Sequence, residues 1–449
     1  MKNPIQNYFI KLLFLTLCVF SVFQNINAQK MDRIERERFK SMLSYIKNSI
    51  KEDYYDPNFH GINLDERFKA AFNRLDEVNT AGEAMGVIAQ VLFDFNDSHM
   101  FFYPPQTNVG VEYGWRMQMY GDKCFVTIVK PKSDAEAKGL KPGDQIIMIQ
   151  GFRPTRKDLR KIDYYFNFVG KRSNIMLTVQ SPGDAAPRQL QIDAKVKQLE
   201  KVLTKEQFIF DVFKQDTRPA VDFNYFKYVG NTTIWKMPSF AILPEDLDTM
   251  MSKIKGSTLI LDLRGNGGGY VMTLERLAGL MFDRDLQIAE LKGRKEFKPQ
   301  KSKTRGKDAF AGKLIVLVDH ESGSAAEIFA RLVQLEKRGT VVGDVSAGAV
   351  MQSLPFVTTT GASEIFFGAS ITMADVIMSD GKSLENVGVI PDELVIPTAE
   401  DLAKLRDPVL AKAIELAGGS VSADEAGKYF HYKWRETAKK RELIEVEVK

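Results

Sequence analysis

Cysteine and histidine are scarce in this chain. Of 449 residues, two are cysteine (Cys18 and Cys124) and four are histidine (His60, His99, His320 and His431). Cys18 lies in an apolar stretch near the N-terminus, so a chain without that stretch keeps one thiol and forms no internal disulfide; a buried free thiol is expected at Cys124. There is no His-Glu-x-x-His run, no paired Cys-x-x-Cys and no phosphate loop, so the sequence implies neither a metal nor a nucleotide cofactor. Strong charge of one sign is also missing. With 62 basic and 58 acidic residues the formal net charge is +4, which argues against electrostatic nucleic-acid binding as the main task.

Long apolar runs are absent too, apart from the twelve residues Leu12 to Phe23. Lys2 and Lys11 precede that run and Ile26-Asn-Ala28 follows it, the layout of a secretory leader cleaved near Ala28. The run is too short to span a bilayer. Leu17 before Cys18, instead of a small residue, argues against lipid modification of the thiol. An exported chain, periplasmic or secreted, with no stable membrane span after cleavage is the expectation.

The remainder reads as a multidomain α/β protein without internal repeats. Residues 29–105 carry helical patterns, with Phe39, Leu43, Ile46 and Ile50 at helical spacing and a second helix from Ala81 to Phe93 that closes at the Ser98-His99 turn. Residues 107–196 alternate short strand patterns with turn signals. From 200 to 398 strand and helix patterns alternate, as an α/β core requires. Residues 399–449 supply a helix from Glu400 to Ala417 and a charged tail.

Two junctions within the α/β region carry the chemistry. Leu259-Ile-Leu-Asp-Leu-Arg-Gly-Asn-Gly-Gly-Gly269 and Leu314-Ile-Val-Leu-Val-Asp-His-Glu-Ser-Gly-Ser-Ala-Ala-Glu327 are each a buried strand that stops at small residues and opens into a helix. Such a junction offers free N–H groups at the carboxyl end of a sheet, a place to stabilise an oxyanion. Ser324 supplies a hydroxyl beside the N–H of Ala325, and Gly267 and Gly268 let a second stretch of backbone approach without a Cβ. Each residue also has a plain structural role available. Ser324 with Glu327 fits a capping box, His99 alone fits a structural histidine, Glu385 a surface carboxylate, and Asp262 with Arg264 the bracing of a turn. A dinucleotide fingerprint fails, because Tyr270 occupies the place of its third glycine.

Taken together, Asp262-Leu-Arg-Gly-Asn-Gly-Gly-Gly269, Ser324-Ala-Ala-Glu327 and Leu384-Glu-Asn-Val-Gly-Val-Ile-Pro-Asp392 resemble the tail-specific serine peptidases, which include the C-terminal processing proteases and the tricorn core protease. The resemblance implies a crotonase-like peptidase core. In the processing branch a lysine follows the nucleophile; in the matching stretch Gly343-Asp-Val-Ser-Ala-Gly-Ala349, Ala349 takes its place. The tricorn-like branch instead pairs Ser-His upstream with a glutamate downstream. This implies Ser324 as nucleophile, His99 as general base and acid, Ser98 and Glu385 as groups that orient the imidazole, and Gly267, Gly268 and Ala325 as oxyanion donors. A histidine suits the task because its ordinary pKa of ~6.5 lets it accept and return a proton near neutrality. Of the other three, His60 and His431 read as solvated, and His320 lies too close in sequence to Ser324 to face its hydroxyl from the substrate side.

Residues 107–196 are similar to a PDZ domain through Phe125 to Gly151, which implies capture of an extended peptide on a sheet edge, with its terminal carboxylate held near Gly114, Trp115 and Arg116. The expected function is a serine endopeptidase acting on polypeptides, with no cofactor and an oligomeric state left open. The alternative is a catalytically silent binding protein on the same fold.

Overall fold

The computed structural model describes residues 30–107, 109–199, 204–208, 225–361 and 365–430; the expected leader and the charged tail with His431 lie outside the described residues. The chain opens with helices α1 (Arg33–Asp53), α2 (Leu64–Glu77) and α3 (Ala81–Phe93), of which α2 was not foreseen. Thr80 and Glu83 close a reciprocal cap on α3, the Glu83 N–H donating to the Thr80 hydroxyl at 3.3 Å and the Thr80 N–H to the Glu83 carboxylate at 3.0 Å. Strand β1 (Phe101–Tyr103) follows and pairs antiparallel with a strand some 260 positions later, Phe102 opposite Ala369. The N-terminal helices therefore have no separate interior. Phe39, Ile46, Phe68 and Ile88 share one apolar cluster with Phe367, Ala369 and Ile371 of that distant strand.

A β-rich module comes next. Strands β2 (Val109–Glu112), β3 (Trp115–Tyr120), β4 (Lys123–Val129) and β5 (Gln145–Ile149) lead to helix α4 (Leu159–Tyr164) and strands β6 (Asn174–Gln180), β7 (Arg188–Asp193) and β8 (Lys195–Gln198). The order β3-β4-β5-β6-β7 is antiparallel throughout and leaves β3 as a terminal strand, while β2 pairs with β8 to close the base. Alternate residues Met117 and Met119 of β3 turn into the module's core with Val126, Ile146, Leu177 and Cys124, the buried free thiol.

The α/β region holds β9 (Tyr225–Val229), β10 (Thr232–Lys236), α5 (Pro244–Met251), β11 (Thr258–Asp262), α6 (Val271–Met281), β12 (Leu286–Lys292), β13 (Gln300–Ser302), β14 (Lys313–Val318), α7 (Ala325–Leu335), β15 (Gly339–Gly343), β16 (Met351–Thr360), β17 (Ile365–Met378) and β18 (Glu393–Leu394). Its main sheet runs β18-β15-β14-β11-β10-β9, parallel except for β9. The central strands β11 and β14 are nearly continuous apolar runs because helices cover both faces: α5, α6 and α7 on one, and α9 (Pro408–Leu416) on the other. Strands β1, β17, β12 and β13, with β16 also on β17, form a second, antiparallel sheet. The single helix expected over Glu400–Ala417 is two, α8 (Ala399–Ala403) and α9. Leu405 turns to a φ of 55°, and Asp407 caps a new start at Pro408, whose missing N–H suits the first helical position. Among the described residues no helix is long and apolar enough to cross a membrane.

Candidate active site

Three loops leave the carboxyl ends of the adjacent parallel strands β11, β14 and β15, and the serine stands where they meet. After β11 the chain turns at Asn266, which is fully buried. Its Nδ2 donates to the Met237 carbonyl, its Oδ1 accepts the Gly268 N–H and its own carbonyl accepts the Gly323 N–H, each at 2.9 Å. One asparagine thus fastens the glycine loop to the loop that carries Ser324. Gly268 has a φ of 101°, and a Cβ there would lie 2.6 Å from the Ser324 Cβ, so only glycine fits. Ser324 itself has φ 52° and ψ −119°, strained for a residue with a side chain. A nucleophile on a sharp strand-to-helix turn takes this kind of conformation, which lifts the hydroxyl off the start of α7.

What holds that strain is Glu327. The fully buried carboxylate accepts the N–H groups of Ser324 (3.0 Å), Gly348 (2.7 Å) and Ala349 (2.9 Å) and the Ser346 hydroxyl (2.6 Å). Burial pushes its pKa up against these bonds. The capping-box partner expected for Ser324 is therefore present, and it also ties the loop after β15 to the serine. Ala349, where the processing branch carries lysine, sits directly against the serine: its carbonyl accepts the Ser324 N–H at 2.9 Å. The N–H groups of Gly267 and Ala325 meet no acceptor among the described residues. Gly268 differs from expectation. Its N–H is spent on Asn266, so the loop's exposed donor is Gly267, and Gly268 serves as the point of close approach.

The histidine comes from the other end of the chain, on the turn between α3 and β1. Ser98 Oγ lies 2.8 Å from His99 Nδ1 and donates to Glu385 Oε2 at 2.7 Å, while the Ser98 N–H donates to Glu385 Oε1 at 2.7 Å. Glu385 Oε2 also accepts the Val350 N–H at 3.0 Å. The peptide that joins Ala349 to Val350 thus touches the serine on one side and the glutamate on the other, linking Ser324 through one peptide to Glu385 and, by way of Glu385, to Ser98 and His99. With Glu385 ionised, the Ser98 proton points to the carboxylate and Ser98 Oγ accepts from Nδ1–H. Nε2 then carries the lone pair. Asp97, also buried, braces the turn by accepting the His99 N–H at 2.9 Å, the Thr372 hydroxyl at 2.9 Å and the Tyr54 hydroxyl at 3.2 Å.

Burial sets the electrostatics. It pushes His99 down to about 3, helped by the charge of Arg160 on α4, and so keeps the imidazole neutral. Burial, with the nearby Asp97 charge, raises Glu385 to about 7. Below the glycine turn, burial opposes the charge of Asp262, but Arg264 and Lys236 hold that carboxyl below its usual range. Arg264 bonds both Asp262 oxygens (2.9 and 2.8 Å) and both Asp407 oxygens (2.8 Å each), bracing the turn against α9.

The other expected residues lie elsewhere. Gly114 (φ 77°) opens β3 and the Trp115 ring is buried in the module's own core, its Nε1–H without an acceptor among the described residues. Arg116 is half-buried beside them. His320 is buried in the loop that leads from β14 to Ser324. His60, expected to be solvated, is exposed but not free: Nδ1 pairs with the Phe95 carbonyl and Nε2 with the Tyr55 hydroxyl, each at 2.8 Å. Sequence reasoning missed Asp97, which directly precedes the Ser98-His99 turn, and Asn266, which stands inside the glycine run.

Residues 231–395, which make up most of the α/β core, match the model of peptidase family S41. The chain is 29% identical over 291 residues to the carboxy-terminal processing protease CtpB of Bacillus subtilis, covering 60% of this chain and 55% of that one. It is 26% identical over 307 residues to the tail-specific protease of Haemophilus influenzae, covering 65% of this chain and 42% of the relative. The chain thus spans about half the length of these relatives. Among solved structures, mature CPAF superposes with a TM-score of 0.62 at 13% identity, over 82% of this chain and 95% of that one, which shows a shared fold.

Proposed function

We propose that the protein is an exported serine endopeptidase that hydrolyses polypeptides through an acyl-enzyme on Ser324. The observation that carries this reading is the relay His99 Nδ1–Ser98 Oγ–Glu385 Oε2, with steps of 2.8 and 2.7 Å, ending one peptide bond away from the Ser324 contact. His99 Nε2 takes the Ser324 proton as the hydroxyl oxygen attacks the scissile carbonyl, and the imidazolium forms two hydrogen bonds away from the Glu385 carboxylate. The N–H groups of Gly267 and Ala325 hold the oxyanion. His99 then returns the proton to the leaving amine, and a water activated by the same nitrogen releases the acyl group. No step in this scheme calls for a cofactor.

The β-rich module would supply recognition in the manner of a PDZ domain, an extended substrate adding to the terminal strand β3 with its carboxylate near Gly114 to Arg116. The test of the central claim is reaction with a fluorophosphonate probe. The label should appear on Ser324 by mass spectrometry and be absent from Ser324→Ala. No label, or a label on another residue, would favour the silent binding protein instead.

A further inference from the structure

The hairpin formed by β3 and β4 sits over the carboxyl ends of two neighbouring core strands, and a carboxylate from each reaches it. Asp319, the first residue after β14, accepts the Gln118 amide of β3 on Oδ2 at 2.7 Å, both side chains being buried. Asp344, the first residue after β15, accepts the Gly121 N–H of the hairpin turn at 2.8 Å and Arg156 Nη1 at 2.9 Å, both on Oδ2. Arg156 returns to the Gly121 carbonyl at 2.9 Å and also donates to the Val345 carbonyl.

The other oxygen of Asp319 gives this contact a consequence for the chemistry. Oδ1 accepts the N–H of Gly265 at 2.9 Å, of Glu321 at 3.0 Å and of Ser322 at 3.1 Å, and the Ser322 hydroxyl at 3.2 Å. Gly265 opens the glycine loop that ends in the Gly267 donor; Ser322 precedes the Ser324-Ala325 corner by two residues. One carboxylate therefore sets both strands of backbone that face the oxyanion position, and its free side is claimed by the hairpin. We infer that Asp319 is a positioning residue for the oxyanion donors, and that Gln118 makes its placement depend on the seat of the β3–β4 hairpin. This rests on the reading of Ser324 as the nucleophile. The donors must stand within a few tenths of an ångström of hydrogen-bond distance from the developing charge, so a hairpin that lifts away slows acylation rather than substrate binding.

An exchange of donor and acceptor tests it. Gln118→Glu sets a carboxylate against Asp319; adding Asp319→Asn restores the bond with its direction reversed and leaves an acceptor for Gly265, Glu321 and Ser322. In Gln118→Glu, kcat and the rate of fluorophosphonate labelling should fall about tenfold or more with KM for a short peptide changed less than about threefold, and the double variant should recover to within about threefold of the parent. Amide hydrogen exchange across residues 263–270 should quicken in the single variant and return in the double, whether or not the protein turns over a given peptide. Unchanged exchange in Gln118→Glu, or a loss of rate that the double variant does not restore, would overturn the inference. A parent chain that neither labels nor cleaves would instead sink the peptidase reading, and the exchange experiment would still decide whether the latch exists.

Discussion

The two halves of the site are made of different material. The serine half, residues 262–269 and 319–350, is backbone: N–H donors, a glycine that no Cβ can replace and a serine held at positive φ by a buried carboxylate. The histidine half is side chains: Ser98, His99 and Glu385 in a chain of hydrogen bonds, with Asp97 behind them. A half built of backbone responds to changes in shape. A half built of titratable side chains responds to pH. Substitutions on the two sides should therefore fail in different ways.

The largest effect belongs to the junction of the two. Ser324→Ala removes the attacking oxygen and should lower kcat by at least about 10⁴-fold, as loss of a nucleophile does in other serine hydrolases. His99→Ala should approach the same loss, because the two act as one unit. A double variant no worse than either single one would bear that out; additive losses would separate them.

The next effect sharpens the contrast through pH. His99, pushed down to about 3, stays neutral across the working range, so the acid limb of kcat/KM falls to Glu385, raised to about 7. As pH drops through that value Glu385 gains a proton, the Ser98 hydroxyl is free to turn toward Nδ1, and the imidazole proton moves to Nε2, where it blocks attack. Activity should fall below about pH 7, and Glu385→Gln should lose about 10²-fold together with that limb. Stability runs the opposite way. A carboxyl raised from 4.5 to about 7 binds its proton more tightly when folded, so its contribution to stability is present below 4.5 and is lost as pH rises through 7. A limb that survives in Glu385→Gln with unchanged midpoint would assign it to another group.

The same division explains what the sequence made legible. Backbone chemistry writes itself in runs of small residues, so the glycine loop, Ser324 and their positions at strand ends could be placed from residues 259–269 and 314–327 alone. Gly268 was misread as a donor because a string of glycines does not say which N–H an asparagine side chain will claim. On the other side, Ser98 and Glu385 are 287 positions apart in sequence, and no local pattern joins them; only the family resemblance proposed the pair. Asp97, Asn266 and Asp319 escaped notice for a related reason, since a buried polar residue that holds a loop through several hydrogen bonds looks in sequence like any turn residue. The shared interior of α1–α3 and β17 was likewise invisible, because a strand crossing from one end of the chain to the other leaves no periodic trace.

A smaller effect, confined to shape, is expected at Gly268. In Gly268→Ala the new Cβ would meet the Ser324 Cβ at 2.6 Å and the Ala325 nitrogen at 3.0 Å, at a φ of 101° that side chains avoid. The loop must shift, which should cost about 1–3 kcal/mol of stability and about 10²-fold in kcat through misplaced donors. The midpoint of the pH profile should stay where it is in the parent chain. Movement of that midpoint would mean that the two halves are not separable as the contrast requires.

The smallest effect concerns the β-rich module, which stands apart from both halves yet touches each. Tyr164 of α4 donates to the Phe102 carbonyl at 2.5 Å, on the strand that carries His99 forward, and Gln118 reaches the serine side. If the module holds a substrate's free C-terminus on N–H groups near Gly114, amidating that terminus removes a charge-assisted contact of roughly 1.5–3 kcal/mol. Binding of one peptide in acid and amide forms to the full-length Ser324→Ala chain, measured by calorimetry, should then differ by about one to two powers of ten. Equal affinities would mean that the module grips internal segments or only frames the site. In that case its contacts with β1 and Asp319 would be its whole contribution, the C-terminal preference would be withdrawn, and the relay between His99 and Glu385 would be untouched by the result.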